Sequence, residues 1–120
     1  MPLVLVIDDS PTVRTMLVKI LNGIGLSALS AIDGAEGLTM FKSLRPDLVI
    51  SDISMPRMSG IQLLRAIKED AQQSQIPLIL MGSAGRKEEA WGAGCEYFLI
   101  KPFTAPNVGE IVGRALYHRV

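Results

Sequence analysis

The sequence predicts an α/β domain in which five parallel strands alternate with five helices, (βα)5, doubly wound around a sheet of order 2-1-3-4-5. Three observations predict it. Short apolar runs recur five times, and the stretches between them space their apolar residues as helices do. The first, third and fourth runs are apolar on both faces, as central strands of a parallel sheet covered by helices on both sides should be. At 120 residues the chain can bury one good core but not two, so the five units make a single domain over 1–120.

The elements follow in order. The first strand is LVLVID at 3–8. After it Val13, Met16, Leu17, Ile20, Leu21 and Ile24 recur at helical spacing, with Ser10 and Pro11 as N-cap and first-turn proline and Gly25 as the stop. LSALSA at 26–31 is the second strand, and the helix from Ala35 to Ser43 turns Leu38 and Phe41 inward. DLVISD at 47–52 is the third strand, and the helix after Gly60 carries Ile61, Leu64 and Ile67 on one face. IPLILM at 76–81 is the fourth. Only RKEEAW at 86–91 is then available for a helix, and Gly82, Gly85, Gly92 and Gly94 crowd the segment. Each glycine weakens a helix by about 1 kcal/mol relative to alanine, so a shortened fourth helix is expected, a single turn or an ordered loop. YFLI at 97–100 is the last strand. The final helix starts at Thr104, has Pro106 in its first turn and buries Val108, Ile111, Val112, Ala115 and Leu116.

Composition narrows the function. Twelve basic residues balance twelve acidic ones with no basic block, which argues against direct nucleic-acid binding by this domain. No apolar run approaches the roughly 20 residues that cross a membrane, and the N-terminus lacks the basic leader of a signal peptide. One cysteine, Cys95, permits neither an internal disulfide nor a cysteine cluster for zinc. A soluble cytoplasmic protein is the economical reading.

In open α/β sheets ligands bind outside the carboxyl ends of the strands, at the point where strand order reverses. The first strand ends in Asp8 and Asp9, the third in Asp52, the fourth in Gly82 and Ser83, and Lys101 follows the fifth. With strands 1 and 3 adjacent, three carboxylates gather in one cleft with a lysine reaching in. Such a cluster repels itself unless cations share it. With no His or Cys beside it, an all-oxygen set suits Mg²⁺, and Mn²⁺ would accept the same ligands. Taken singly, Asp8-Asp9 reads as a helix cap, Asp52 as a turn residue and Lys101 as a solvated strand end. Together at one end of one sheet they read as a site.

The segments VIDDS, PDLVISDISMPRMSG and LIKPF stand in the order and at the approximate separations of the receiver domains of two-component response regulators. The chain resembles that family essentially end to end and is similar to its single-domain chemotaxis regulators. The middle segment is the most specific, with Met55-Pro56 three and four residues beyond Asp52 and Gly60 eight beyond. The resemblance implies a flavodoxin-like fold and a phosphorylation-dependent switch. Asp52 would accept a phosphoryl group from the phosphohistidine of a sensor histidine kinase or phosphotransfer protein. Asp9, Asp52 and the Ser54 backbone carbonyl would ligate Mg²⁺, with Asp8 acting mostly through water. Lys101 would contact the phosphoryl group, and the Lys101-Pro102 bond would be cis. The domain would catalyse its own phosphorylation and dephosphorylation, with no separate substrate turnover. A downstream protein or output domain would read the change, and a phosphorylation-linked dimer is compatible with it.

The resemblance also exposes departures. The hydroxyl that contacts the phosphoryl group falls on Gly82, so either Ser83 serves or the hydroxyl is absent. Phe98 takes the switch aromatic position, with Tyr97 beside it. Because the fourth helix belongs to the family's usual output face, partner binding or dimerisation here is expected to differ from the common arrangement. An alternative is a non-catalytic receiver-like adaptor that binds partners regardless of phosphorylation; the full set Asp8, Asp9, Asp52 and Lys101 weighs against it. A flavin carrier would want a phosphate loop where two acids stand, and an aspartyl-phosphate hydrolase would want an acid where Ser54 stands. Cys95 reads as a buried inert thiol, Trp91 as core filling, His118 as a solvated helix end, and Gly109 and Gly113 as room for close packing.

Overall fold

The computed structural model describes residues 1–117. Strands β1 (Leu3–Ile7), β2 (Ser27–Ala31), β3 (Leu48–Asp52), β4 (Leu78–Gly82) and β5 (Tyr97–Ile100) alternate with helices α1 (Pro11–Gly23), α2 (Gly34–Leu44), α3 (Gly60–Glu69), α4 (Lys87–Gly92) and α5 (Ala105–Tyr117). The sheet is parallel throughout, in the order β2-β1-β3-β4-β5.

Strand alternation splits the core in two. Val4, Val6, Leu48, Ile50, Ile79, Met81 and Leu99 face α1 and α5. Leu5, Ile7, Val49, Leu78, Leu80 and Phe98 face α2, α3 and α4. Strands β3 and β4 are buried along their whole length, while β2, on the sheet edge, exposes Leu29 and Ser30. The helix starts are capped, Ser10 as the sequence implies and Ser59 as a further case. The Ser10 hydroxyl accepts from the Val13 amide, and Ser59 and Gln62 form a reciprocal capping box on α3. Thr104 and Asn107 exchange side chain-to-backbone hydrogen bonds ahead of α5.

The fourth helical segment is short but ordered. A 3-10 turn, Ala84–Arg86, leads into the six residues of α4. Two expectations fail nearby and in α5. Trp91 is 53% exposed, its ring beneath the Lys87 ammonium at 4.7 Å, because Ala90 takes the inward position on so short a helix. Gly109 and Gly113 have open space where a Cβ would stand, so they serve no close packing. Cys95 is buried, and burial raises its thiol above the ordinary value. His118 lies outside the described residues.

Candidate functional site

Register builds the site. Ile7 pairs with Ser51, so Asp8 and Asp52 emerge side by side from the ends of adjacent strands. Gly82 pairs with Ile100 and accepts a hydrogen bond from the Lys101 amide at 2.8 Å, which sets Lys101 just past the end of β5. From there its ammonium reaches back across the sheet. Lys101 Nζ donates to Asp8 Oδ2 at 3.1 Å and to Asp52 Oδ2 at 3.0 Å. Asp8 is fully buried and Asp52 is 9% exposed, whereas Asp9 faces solvent. Carboxylate oxygens of all three lie within 4.8 Å of one another.

Local turns hold these groups in place. Asp8 Oδ1 accepts from the Ser10 amide at 2.9 Å, and Arg14 Nη1 donates to the Asp8 carbonyl at 2.8 Å, tying the first strand end to α1. The Ser54 amide donates to Asp52 Oδ1 at 3.2 Å. Beyond it the loop folds tightly, with the Met58 amide on the Pro56 carbonyl at 2.7 Å and Arg57 in the left-handed region at φ 68°. Gly60 then returns against the strand. Its amide donates to the Ile53 carbonyl at 3.0 Å, and a Cβ there would collide with the Asp52 carbonyl oxygen. That collision is the physical reason for a glycine eight residues beyond Asp52. The Lys101-Pro102 peptide is cis.

The electrostatics are lopsided. Burial pushes the Asp8 carboxyl up, against the opposing pull of the Ser10 amide and Lys101. Burial lowers Lys101, but its hydrogen bonds to Asp52 and Asp8 more than offset this and leave it raised, firmly an ammonium. Three carboxylates with one ammonium in contact leave a negative remainder that a hard divalent cation fits, and the donor atoms are oxygens throughout. Asp9, exposed and without a hydrogen bond among the described residues, has its oxygens free for a ligand.

The structure brings Asp8, Asp9, Asp52 and Lys101 together and sets Ser54 against Asp52. Gly82 ends β4 in register, and Ser83 lies beyond it, exposed, with no side-chain hydrogen bond to the turn it precedes. Phe98 points inward at 9% exposure, its ring tip 3.3 Å from where a Cβ on Gly82 would stand. Sequence reasoning missed Arg86. Its Nη1 donates to Ser54 Oγ at 2.6 Å while its Nε pairs with Glu89 at 2.7 Å. No spacing rule reveals it, because the path of a glycine-rich segment is not encoded in a periodic pattern.

Known proteins share the fold. A profile of the response regulator receiver domain matches residues 4–112. The chemotaxis protein CheY of Bacillus subtilis is 37% identical over 115 residues, covering 94% of this chain and 96% of that protein. The protein PilH of Pseudomonas aeruginosa is 34% identical over 116 residues, with 94% and 96% covered. Among solved structures, the chemotaxis response regulator CheY4 of Vibrio cholerae superposes with a TM-score of 0.89 at 31% identity, over 97% of this chain and 99% of that one.

Proposed function

We propose, from the premise that this chain belongs to the response regulator receiver family of two-component systems, that Asp52 is its phospho-acceptor. As a receiver domain it is a phosphorylation-dependent signalling module, and the family's partners are histidine kinases, phosphotransfer proteins and output domains. The observation that carries the residue assignment is Lys101 Nζ bridging Asp8 and Asp52 at 3.1 and 3.0 Å beside the exposed Asp9.

In the proposed reaction an Asp52 carboxylate oxygen attacks phosphorus in line with a phosphohistidine. The new O–P bond forms as the P–N bond breaks, and the imidazole leaves with the electron pair and takes up a proton. Such transfer needs positioning and charge neutralisation more than covalent chemistry. The Ser54 amide orients the carboxylate, and Lys101 turns from Asp52 to the incoming phosphoryl oxygens. Receiver domains bind Mg²⁺ at an acidic pocket of this kind; Asp9, Asp52 and the Ser54 carbonyl would hold it, with Asp8 acting through water. Bound there, the ion supplies charge neutralisation on the phosphoryl oxygens. Reset follows when water attacks phosphorus: the new O–P bond forms as the Asp52 O–P bond breaks, the carboxylate leaves with its electron pair, and inorganic phosphate departs as the water's proton passes to solvent. The domain as a whole is taken as 1–120, cytoplasmic, with Phe98 as the switch aromatic and with dimerisation on phosphorylation as one route to output.

Intact-mass spectrometry after incubation with acetyl phosphate and Mg²⁺ tests the assignment. We expect one labile adduct of about 80 Da, lost in Asp52→Asn. An adduct of equal yield in Asp52→Asn would refute Asp52 as the acceptor. Absence of any adduct, with Mg²⁺ bound, would favour the adaptor reading.

A further inference from the structure

Glycine at the end of β4 lets three neighbours fill the place of a side chain on the α3–α4 side of the sheet. A Cβ on Gly82 would stand 2.8 Å from Ile53 Cγ2, 3.3 Å from the tip of Phe98 and 3.7 Å from Arg86 Cβ. No side chain from β4 can therefore reach the phospho-acceptor from this position. The stem of Arg86, the last residue of the 3-10 turn, rises beside Gly82 and sends its guanidinium over the β3–α3 loop. It donates to Ser54 Oγ at 2.6 Å, and the amide of the same Ser54 donates to Asp52 Oδ1 at 3.2 Å. Lys101 occupies the other carboxylate oxygen, Oδ2. Asp52 is thus flanked by a lysine in direct contact and by an arginine one residue away.

We infer that Arg86 is the second phosphoryl-contacting cation of this domain, standing in for the absent side chain at Gly82 and coupling phosphorylation to the start of α4. The inference rests on Asp52 being the acceptor. Its chemistry is one of competing partners. A serine hydroxyl is a neutral acceptor, and the Arg86–Glu89 pair is solvent-exposed on both sides, the kind of pair that contributes little. A phosphoryl group on Asp52 offers charged oxygens to a planar, permanently charged fork suited to bind them two at a time. Arg86 then leaves Ser54 and Glu89 for the phosphoryl oxygens. Because Arg86 is also the residue from which α4 departs, and no side chain caps that helix, the move pulls directly on Lys87 and on Trp91 packed against it.

Trp91 is the sole tryptophan, exposed and paired with Lys87, so its fluorescence reports this movement. Wild type, Arg86→Ala, Arg86→Lys and Glu89→Gln would each be loaded from acetyl phosphate with Mg²⁺. Adduct mass, adduct lifetime and Trp91 emission would be followed together. In Arg86→Ala we expect uptake slowed about tenfold and the emission change lost although the adduct still forms. Arg86→Lys should keep part of both, and Glu89→Gln, which frees the guanidinium, should speed uptake. Wild-type uptake and an undiminished emission change in Arg86→Ala would overturn the inference while leaving Asp52 as acceptor. No adduct on the wild-type chain would overturn both.

Discussion

At the scale of single residues the site holds a carboxylate against its preference. Asp8 is fully buried, and burial raises its folded pKa above the ordinary aspartate value. A raised carboxylate contributes stability that is complete below the unfolded pKa and is lost as pH climbs through the folded one. At neutral pH the ionised Asp8 is therefore a cost in the metal-free protein. Asp8→Asn should raise the melting temperature at pH 7 in EDTA, with the gain shrinking as pH falls toward the unfolded value; a lower melting temperature at pH 7 would contradict it. The acids and Lys101 were legible because each follows directly on an apolar run, so locating the strands located them. Arg86 and Trp91 were not. Their side-chain directions depend on how a 3-10 turn hands over to a six-residue helix, and no periodicity records that.

Elements with strong patterns were legible nearly to the residue. The helix expected from Ala35 to Ser43 spans Gly34–Leu44, with Asp33 capping it, and the five strands lie where the apolar runs stand. The fourth helix was legible only as a deficiency. Helical spacing needs several turns to register, and this segment has too few. Gly82 shows how one residue shapes two elements at once, since the space it leaves is shared by the ring of β5's Phe98 and the stem of Arg86. In Gly82→Ala the new methyl meets Ile53 at 2.8 Å and Phe98 at 3.3 Å. Overpacking costs about 1–3 kcal/mol, and reduced freedom of the unfolded chain returns about 0.4–1 kcal/mol. A net loss near 1 kcal/mol in urea unfolding is expected, with Phe98 displaced outward. Unchanged stability would mean that the ring and Ile53 yield freely.

For the whole molecule the cofactor and the fold should be linked. An ion that binds only the folded chain stabilises it by mass action, about 1.4 kcal/mol at ten times its dissociation constant. For a domain of this length that corresponds to a melting temperature roughly 5 °C higher in Mg²⁺ than in EDTA. Asp9→Ala should abolish most of the difference without lowering the metal-free melt, because Asp9 is exposed and unbonded among the described residues and its loss relieves repulsion among the three acids. An equal Mg²⁺ response in that variant would remove Asp9 from the ligands. Strand order was legible at this scale because alternation and two-faced burial leave few alternatives, whereas the surface around α4 was not, being set by side chains that pack against nothing periodic.

The contact between Lys101 and Asp8 joins groups 93 positions apart in the chain. Synthesis runs from the amino end, so a ribosome will have delivered all three acids long before the lysine that pairs with two of them. A nascent or prematurely terminated chain ending before residue 101 presents bare carboxylates with no ammonium between them. Such a fragment carries Asp52 without the ammonium that pairs with it in the folded domain. The positive charge of the site is thus made late, just beyond the edge strand β5, with only α5 still to come among the described elements.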